Sequence, residues 1–418
     1  MRRSYRWQLF YPGIGFKRWV VVLCVGVLVF AFGVFVAAAA VFSYEVLWSV
    51  GLGFLRGRFF ITGVLVGACL AVGAVGIYLG LLGVVRFARS SAPGLDTMRS
   101  KARLARGPRM VAVGGGTGLA ALLGGLKHHT SNITAVVTVA DDGGSSGALR
   151  RDMGVLPPGD IRNCLVALAD DESLLRQLFQ YRFPAAGGLQ GHSFGNLFLA
   201  ALAEVTGDFD RAVQESTSVL NVRGRVLPAT LDSVELHAEV AGGAEVAGES
   251  SITASEGLPL RVWLRPERPA ALPQALEAIA AADVVVLGPG SLYTSVIPNL
   301  LIPDVRDAVA AARAPVVYVC NVMTQPGETD GYTAADHLAA LYRHGAEGLV
   351  DVVLVNDTPA PRGLTEAYER EGARRVEVDE PRLEELRVRV VHADMAGGSD
   401  VFRHDPQRLA AAVLDALR

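Results

Sequence analysis

Apolar positions fill two long uncharged runs near the amino end of this chain, Trp19–Phe42 and residues 59–85. Each exceeds the ~20 residues that cross a hydrocarbon core, so each predicts a membrane-spanning helix. A cleaved signal peptide has a shorter apolar stretch ending in a small-residue site. Residues 37–40 mimic such a site, but the second long run favours a hairpin in the bilayer. Trp19, Tyr44, Trp48, Phe59 and Tyr78 fall near the ends of the runs, where amphipathic rings favour the interface. Arg2, Arg3, Arg6, Lys17 and Arg18 precede the first run. Arg86, Arg89, Arg99, Lys101, Arg103, Arg106 and Arg109 follow the second, and only Arg56 and Arg58 lie between. The positive-inside rule then puts both termini in the cytoplasm, giving a multi-pass protein with two spans. The basic stretch 90–107 reads as a juxtamembrane linker, solvated or touching anionic headgroups. Residues 1–106 are therefore expected to be hairpin and linker, and 107–418 a cytoplasmic domain.

Beyond residue 107 the period changes. Short Val-rich runs at 110–113, 133–140, 283–287, 315–319 and 351–355 read as parallel strands buried on both faces. Between them, helical patterns occupy 119–127, 161–168, 173–181, 193–204, 209–220, 273–280 and 333–344. Residues 226–264 differ: short alternating stretches broken by Gly242, Gly243 and Gly248 predict a small antiparallel insertion. Residues 386–391 read as an edge strand and 406–418 as a closing helix. The expected fold is α/β, with a mostly parallel sheet between helical layers.

Polar and glycine-rich turns follow all five main strands. The first run ends on Gly114, Gly115, Gly116, Thr117 and Gly118 before a helix. Glycines let backbone approach a phosphate, and a helix start offers free N–H groups and a positive dipole end. From Gly116, G-x-G-x-x-A fits the dinucleotide fingerprint, with Asp141 and Asp142 about where a ribose-binding carboxylate is expected. A tight β–α turn alone explains the same glycines. Asp141 and Asp142, with Gly143, Gly144, Ser145 and Ser146, could hold sugar hydroxyls or Mg²⁺. The serines could instead cap the helix through Arg150. Further clusters are Gly159, Asp160, Arg162 and Asn163, then His192, Ser193, Gly195 and Asn196. Gly288, Pro289, Gly290 and Ser291 form another, Asn321, Thr324, Gln325, Gly327, Glu328 and Thr329 the next, and Asn356 and Asp357 the last. Arg150, Arg162 and Arg223 are candidates to neutralise phosphate, and His192 is a candidate acid or base. Such turns at strand ends predict one cleft at the carboxyl edge of the sheet.

Composition narrows the options. A net charge of −3 gives no basic footprint for nucleic acid. Hydrophobic residues make up 51% of the chain, with the excess in the two amino-terminal runs. The four cysteines form no C-x-x-C, so neither a zinc pattern nor a disulfide framework follows. G-x-x-x-x-G-K-[ST] is absent, which excludes a P-loop NTPase.

Six blocks in order carry a resemblance: GGGTGLAALLGGLK, TVADDGGSSGALRRDMG, LPPGDIRNCLVALAD, HSFGNLFLAAL, LGPGSLYTSVIPNLL and NVMTQPGETDGYTAADHL. From Arg109 onward the chain resembles the bacterial gluconeogenesis-factor family, itself similar to 2-phospho-L-lactate transferases. DDGGSSG and NVMTQPGETDGYTA look like the gluconeogenesis-factor branch. The resemblance implies a three-layer α/β/α Rossmann-like fold. It implies a nucleotide-sugar ligand, UDP-N-acetylglucosamine being the expected one, and a role in cell shape and envelope growth on gluconeogenic carbon. The hairpin departs from the better-known soluble members. A non-catalytic binder that signals to envelope synthesis is the favoured reading. A transferase of a phosphate-bearing group, using Mg²⁺, is the second, and a dinucleotide-dependent oxidoreductase the third. Lipid bilayer is an expected partner through residues 19–42 and 59–85, and the reading admits an envelope-synthesis protein and self-association.

Overall fold

The two amino-terminal runs form long helices, Phe16–Ser49 and Arg56–Ser90. The computed structural model describes residues 16–49, 56–90, 102–169, 174–184, 188–255, 257–359, 361–398 and 402–417. The chain divides into two compact units, 1–101 and 102–418. The second unit thus takes in residues 102–106, which the sequence reading assigned to the linker. In the first unit, windows of 24 residues (Trp19–Phe42) and 23 residues (Thr62–Val84) are long and apolar enough to cross a membrane. The helices run antiparallel through small residues: Gly76 faces Gly26, Gly73 faces Phe30 and Gly80 faces Leu23. A Cβ on Gly76 would lie 2.9 Å from the Gly26 Cα. Such close backbone approach is how apolar helices gain dispersion contacts where water provides no drive.

The second unit is built on a seven-stranded sheet: β1 (Met110–Gly114), β2 (Ile133–Val137), β3 (Arg225–Pro228), β7 (Val284–Leu287), β8 (Val316–Val319), β9 (Val352–Asn356) and β10 (Arg389–Ala393). Every pairing in it is parallel, in the order β10-β9-β8-β7-β1-β2-β3. Alternate residues of each strand enter two separate cores. Val111, Val113, Val285 and Leu287 join one; Met110, Ala112, Val284 and Val286 join the other. Helices Gly116–Leu126, Gly159–Leu168, Phe209–Val219 and Pro406–Asp415 cover one face. Helices Pro273–Ala280, Pro303–Ala311 and Ala334–Leu341 cover the other, which gives the expected three layers.

Local chemistry fixes the ends of several helices. Ser193 and Asp208 cap their helices by accepting backbone N–H groups, Thr333 and Asp336 form a capping box, and Pro273 stands at a helix start.

The antiparallel insertion is smaller than residues 226–264. Its first stretch is β3, which joins the main sheet as an edge strand beside β2. The remainder forms β4 (Glu235–Val240), β5 (Glu245–Ala247) and β6 (Pro259–Arg265), in the order β5-β4-β6. On its solvent face β4 and β6 set Glu235 opposite Arg265, His237 opposite Trp263 and Glu239 opposite Arg261. Opposite charges flanking a stacked ring pair are favourable cross-strand neighbours.

Strand order reverses between β1 and β7. β1 leads outward through β2 and β3, whereas β7 leads outward through β8, β9 and β10. The loops leaving β1 and β7 face each other at this switch point, where open α/β sheets bind ligands.

Candidate functional site

At the switch point the two glycine turns meet backbone to backbone. A Cβ on Gly118 would lie 2.7 Å from the Pro289 carbonyl oxygen, and one on Gly290 would lie 3.1 Å from the Gly115 carbonyl oxygen. These glycines are therefore demanded by protein packing, whatever else they do. Gly116 adopts φ +67°, a left-handed conformation natural to glycine. Thr117 lies exposed at the helix start. Asn299 Nδ2 donates to the Gly114 carbonyl at 3.2 Å, and Asn321 holds Gly290 by a 2.9 Å bond to its carbonyl oxygen.

The chain's own carboxylates occupy much of the hydrogen-bonding space around these turns. Asp160 stands over the β1 turn: a Cβ on Gly115 would lie 2.5 Å from its Oδ2. The Gly116 N–H bonds Asp160, while desolvation first and Asp141 second push its acid up to about 6. Its side chain keeps a partial opening to solvent although protein surrounds it. Glu328 does the same for the β7 turn. Its Oε1 accepts the N–H groups of Tyr293 at 2.9 Å and Thr294 at 3.1 Å. Burial raises its acid to about 7 against those bonds and the Ser291 and Thr294 side chains, and Oε2 lies without a close hydrogen-bond partner among the described residues. Ser291 donates to Gln325 Oε1 at 2.6 Å, completing the support of that turn.

Asp141 and Asp142 diverge. Strand β2 ends at Val137, before the pair, so they sit on a turn. Asp141 Oδ1 accepts the Gly143 N–H at 2.8 Å, and the side chain acts electrostatically on both Asp160 and Glu249. Asp142 Oδ1 instead accepts Ser250 N and Ser250 Oγ, each at 2.8 Å. It thereby fixes the short helix Glu249–Thr253 of the insertion. Gly248 makes this approach feasible: it has φ +92°, and a Cβ there would lie 2.1 Å from Asp142 Oδ2. Of the pair, Asp141 is the one grouped with the cleft acids.

The helix Gly144–Met153 opens beside them with no side-chain cap. Ser145, near its start, is hydrogen-bonded to His192 Nδ1 at 3.0 Å and accepts from Asn196 Nδ2 at 3.1 Å. Ser146 Oγ accepts the Gly159 N–H at 3.1 Å. Arg162 is buried and donates to Ser193 Oγ, to Asn196 Oδ1 at 3.1 Å and to Asn163 Oδ1 at 2.7 Å. Burial first and the neighbouring Arg182 second lower its pKa, so its charge is costly and is held by these bonds. A Cβ on Gly195 would lie 2.8 Å from Arg162 Cδ, which lets that helix start pass the guanidinium. Arg150 reaches away to Ser233 Oγ at 3.1 Å.

Two positions outside the polar clusters of the sequence, Glu249 and Thr294, lie among these groups, as does Glu328 from the cluster after β8. Glu249 comes from the insertion. Desolvation, then Asp141 and Asp160, push its acid up to about 9, and a hydrogen bond with Thr294 acts the other way. In sequence Glu249 is one acid among many in a polar turn, and only the tertiary fold carries it over β2. Among the described residues no three His, Cys, Asp or Glu side chains converge as a metal site.

A parallel seven-stranded sheet between helical layers, with carboxylates and hydroxyls gathered around the turns at its strand switch, defines a Rossmann-like α/β protein. The chain belongs to the family described as 2-phospho-L-lactate transferase CofD, whose model matches residues 110–396. Within it, the chain is 50% identical over 312 residues to the Bacillus subtilis gluconeogenesis factor, covering 74% of this chain and 98% of that one. It is 43% identical over 311 residues to the Listeria monocytogenes gluconeogenesis factor, covering 74% and 96% of the two chains. A Nostoc relative of the same family name is 48% identical over 419 residues and covers 96% of this chain and 91% of its own. A crystal structure of a UPF0052 family member from Bacillus halodurans superposes with a TM-score of 0.71 at 50% identity, over 74% of this chain and 99% of that one.

Proposed function

We propose that the cleft binds a nucleotide sugar, with UDP-N-acetylglucosamine the expected ligand, and that the protein regulates envelope growth and cell shape without turning that ligand over. The observation that carries this reading is the grouping of Asp141, Asp160 and Glu249 at the switch point beside Ser145, His192 and Thr294. Carboxylates and hydroxyls suit the many donors of a sugar ring. The uncapped start of Gly144–Met153 suits a phosphate. The relatives' name, gluconeogenesis factor, supports a regulatory role in carbon metabolism.

A transferase is the second reading, favoured by the family description and by the Ser145–His192 hydrogen bond. His192 could then carry a proton. Asp141 and Asp160 would be the acids available to hold an Mg²⁺ ion against a diphosphate in that reading.

Small molecules released by denaturing the purified protein should include a uridine diphosphate sugar by mass spectrometry. Release of a nicotinamide dinucleotide instead would overturn the reading.

The two apolar helices are proposed to anchor the protein in the cell membrane with both ends cytoplasmic. Reporter fusions after Arg18 and after Arg109 should both report cytoplasm. A periplasmic signal from the second would contradict the hairpin.

A further inference from the structure

The cleft occupies one edge of the sheet, and the other edge carries a cavity that no part of the proposed function uses. Every pairing in the seven-stranded sheet is parallel, so all its strands start on that second edge. There a cavity of about 390 Å³ spans the starts of β1, β2 and β3. Arg109 and Arg225 line its two ends, with Ser131, Asn132 and Thr134 between them. Both arginines are exposed, and both are held in place. Asp283 engages Nε and Nη2 of Arg109 at 3.3 and 2.8 Å, which leaves Nη1. Arg225 Nη2 donates to Thr134 Oγ1 at 3.3 Å across the β2–β3 register.

The segment that enters the unit borders the cavity. The Ser131 N–H bonds the Leu104 carbonyl at 3.0 Å, and Asn132 Nδ2 bonds the Ala105 and Gly107 carbonyls at 3.1 and 2.7 Å. Those bonds tie the exposed Arg103 and Arg106 to its rim. No carboxylate among the described residues pairs with Arg103, Arg106 or Arg225. Guanidinium groups set across a polar recess recognise a phosphate ester. Chain length selects its source. Residues 91–101 join the helix Arg56–Ser90 to the first residue of the unit, and these eleven residues reach at most roughly 40 Å when extended. A bilayer holding that helix keeps phosphate esters within reach at high effective concentration.

We propose that this cavity seats the phosphate of an anionic phospholipid headgroup, and that the amino edge of the sheet docks on the anionic bilayer surface. The inference rests on the membrane anchor proposed above and adds a lipid-binding site on the folded unit. Arg225 and Nη1 of Arg109 take the phosphate oxygens, Ser131 offers a hydroxyl, and Arg103 and Arg106 meet neighbouring headgroups. Lipid at this edge leaves the cleft, at the carboxyl ends of the same strands, open to cytoplasmic solutes.

Hydrogen exchange of the full-length protein tests this, after reconstitution into vesicles of phosphatidylcholine alone or mixed with phosphatidylglycerol. Amides of 102–109 and 221–225 should exchange more slowly in the phosphatidylglycerol vesicles, and those of 141–146 equally in both. Arg106→Gln combined with Arg225→Gln should remove the slowing, since each arginine lost lowers the docked-to-undocked ratio roughly fivefold. Wild-type exchange at 141–146 in that variant reports an intact fold. Salt at about 0.5 M should weaken the wild-type slowing, because screening shortens the reach of surface charge. Equal exchange in the two vesicles, or slowing that survives the double substitution, would overturn the inference. So would soluble glycerol phosphate that slows the same segments as strongly in phosphatidylcholine vesicles, for the cavity would then hold a soluble ester.

Flotation separates this inference from the anchor it rests on. Protein that floats with phosphatidylcholine vesicles and shows no lipid-dependent exchange upholds the anchor and overturns the docking surface. Protein that fails to float with them overturns both.

Discussion

Gly147→Ala is expected to destabilise the 102–418 unit by roughly 3 kcal/mol, as overpacking a tight contact does. A Cβ at Gly147 would lie 1.7 Å from the Asp142 carbonyl oxygen and 2.5 Å from its carbonyl carbon. Both are backbone atoms, so no rotamer change can relieve the clash. The turn bearing Asp141 and Asp142 must move, and with it the Ser250 clamp and the acid cluster. Chemical denaturation followed by circular dichroism should therefore show an earlier midpoint. Gly124→Ala is the control: it lies on another helix and a Cβ there meets nothing within 4 Å. Its unfolding free energy should stay within about 0.5 kcal/mol of wild type or rise slightly. Equal midpoints for Gly147→Ala and the control would show that the turn tolerates the methyl group.

The second large effect is a loss of stability as pH rises. Glu328 is 1% exposed, and burial lifts its acid from 4.5 to about 7. The native state then binds this proton more tightly than the unfolded chain does. Stability is full below the unfolded value, falls through the window between the two, and levels off above about pH 7. The loss from this one group is on the order of 3 kcal/mol. Asp160, raised to about 6, adds to the same trend over a narrower window. Glu328→Gln retains an oxygen for the Tyr293 and Thr294 N–H groups and removes the titration. Denaturation across about pH 5 to about pH 8 should show a shallower slope for Glu328→Gln than for wild type. Identical slopes would mean that Glu328 does not titrate in this range.

Much of the fold can be read in the order of residues because its strands are buried on both faces. The Val-rich runs at 110–113, 283–287, 315–319 and 351–355 need no tertiary information to stand out, and helix Pro273–Ala280 begins and ends where its pattern does. Strand β3 is harder. Its four residues RVLP are short, and next to the alternating insertion they look like part of it. Only pairing with β2 assigns them to the main sheet.

The cleft residues divide in the same way. Turns after strands are legible because glycine and polar clusters interrupt apolar runs, and the topology brings them together at the switch point. The use of each side chain is not legible. Nothing in the doublet Asp141–Asp142 tells which acid faces the cleft, since that depends on Ser250, far along the chain. Glu249 lies in a polar stretch with no local signal, and Glu328 lies in the polar turn after β8 with nothing to mark it out from its neighbours there; the shifted acidity of both comes from burial by distant segments. The glycines at 115 and 118 suggest ligand approach, yet much of the space beside them is filled by Asp160 and by the Pro289 carbonyl.

The full-length protein is titrated with UDP-N-acetylglucosamine with and without chelator, and the mixture is assayed for products. Saturable binding, little change with chelator and recovery of intact ligand are the expected results. Metal-dependent turnover of the nucleotide sugar, abolished by chelator, would contradict the regulatory reading and establish a transferase or hydrolase in its place.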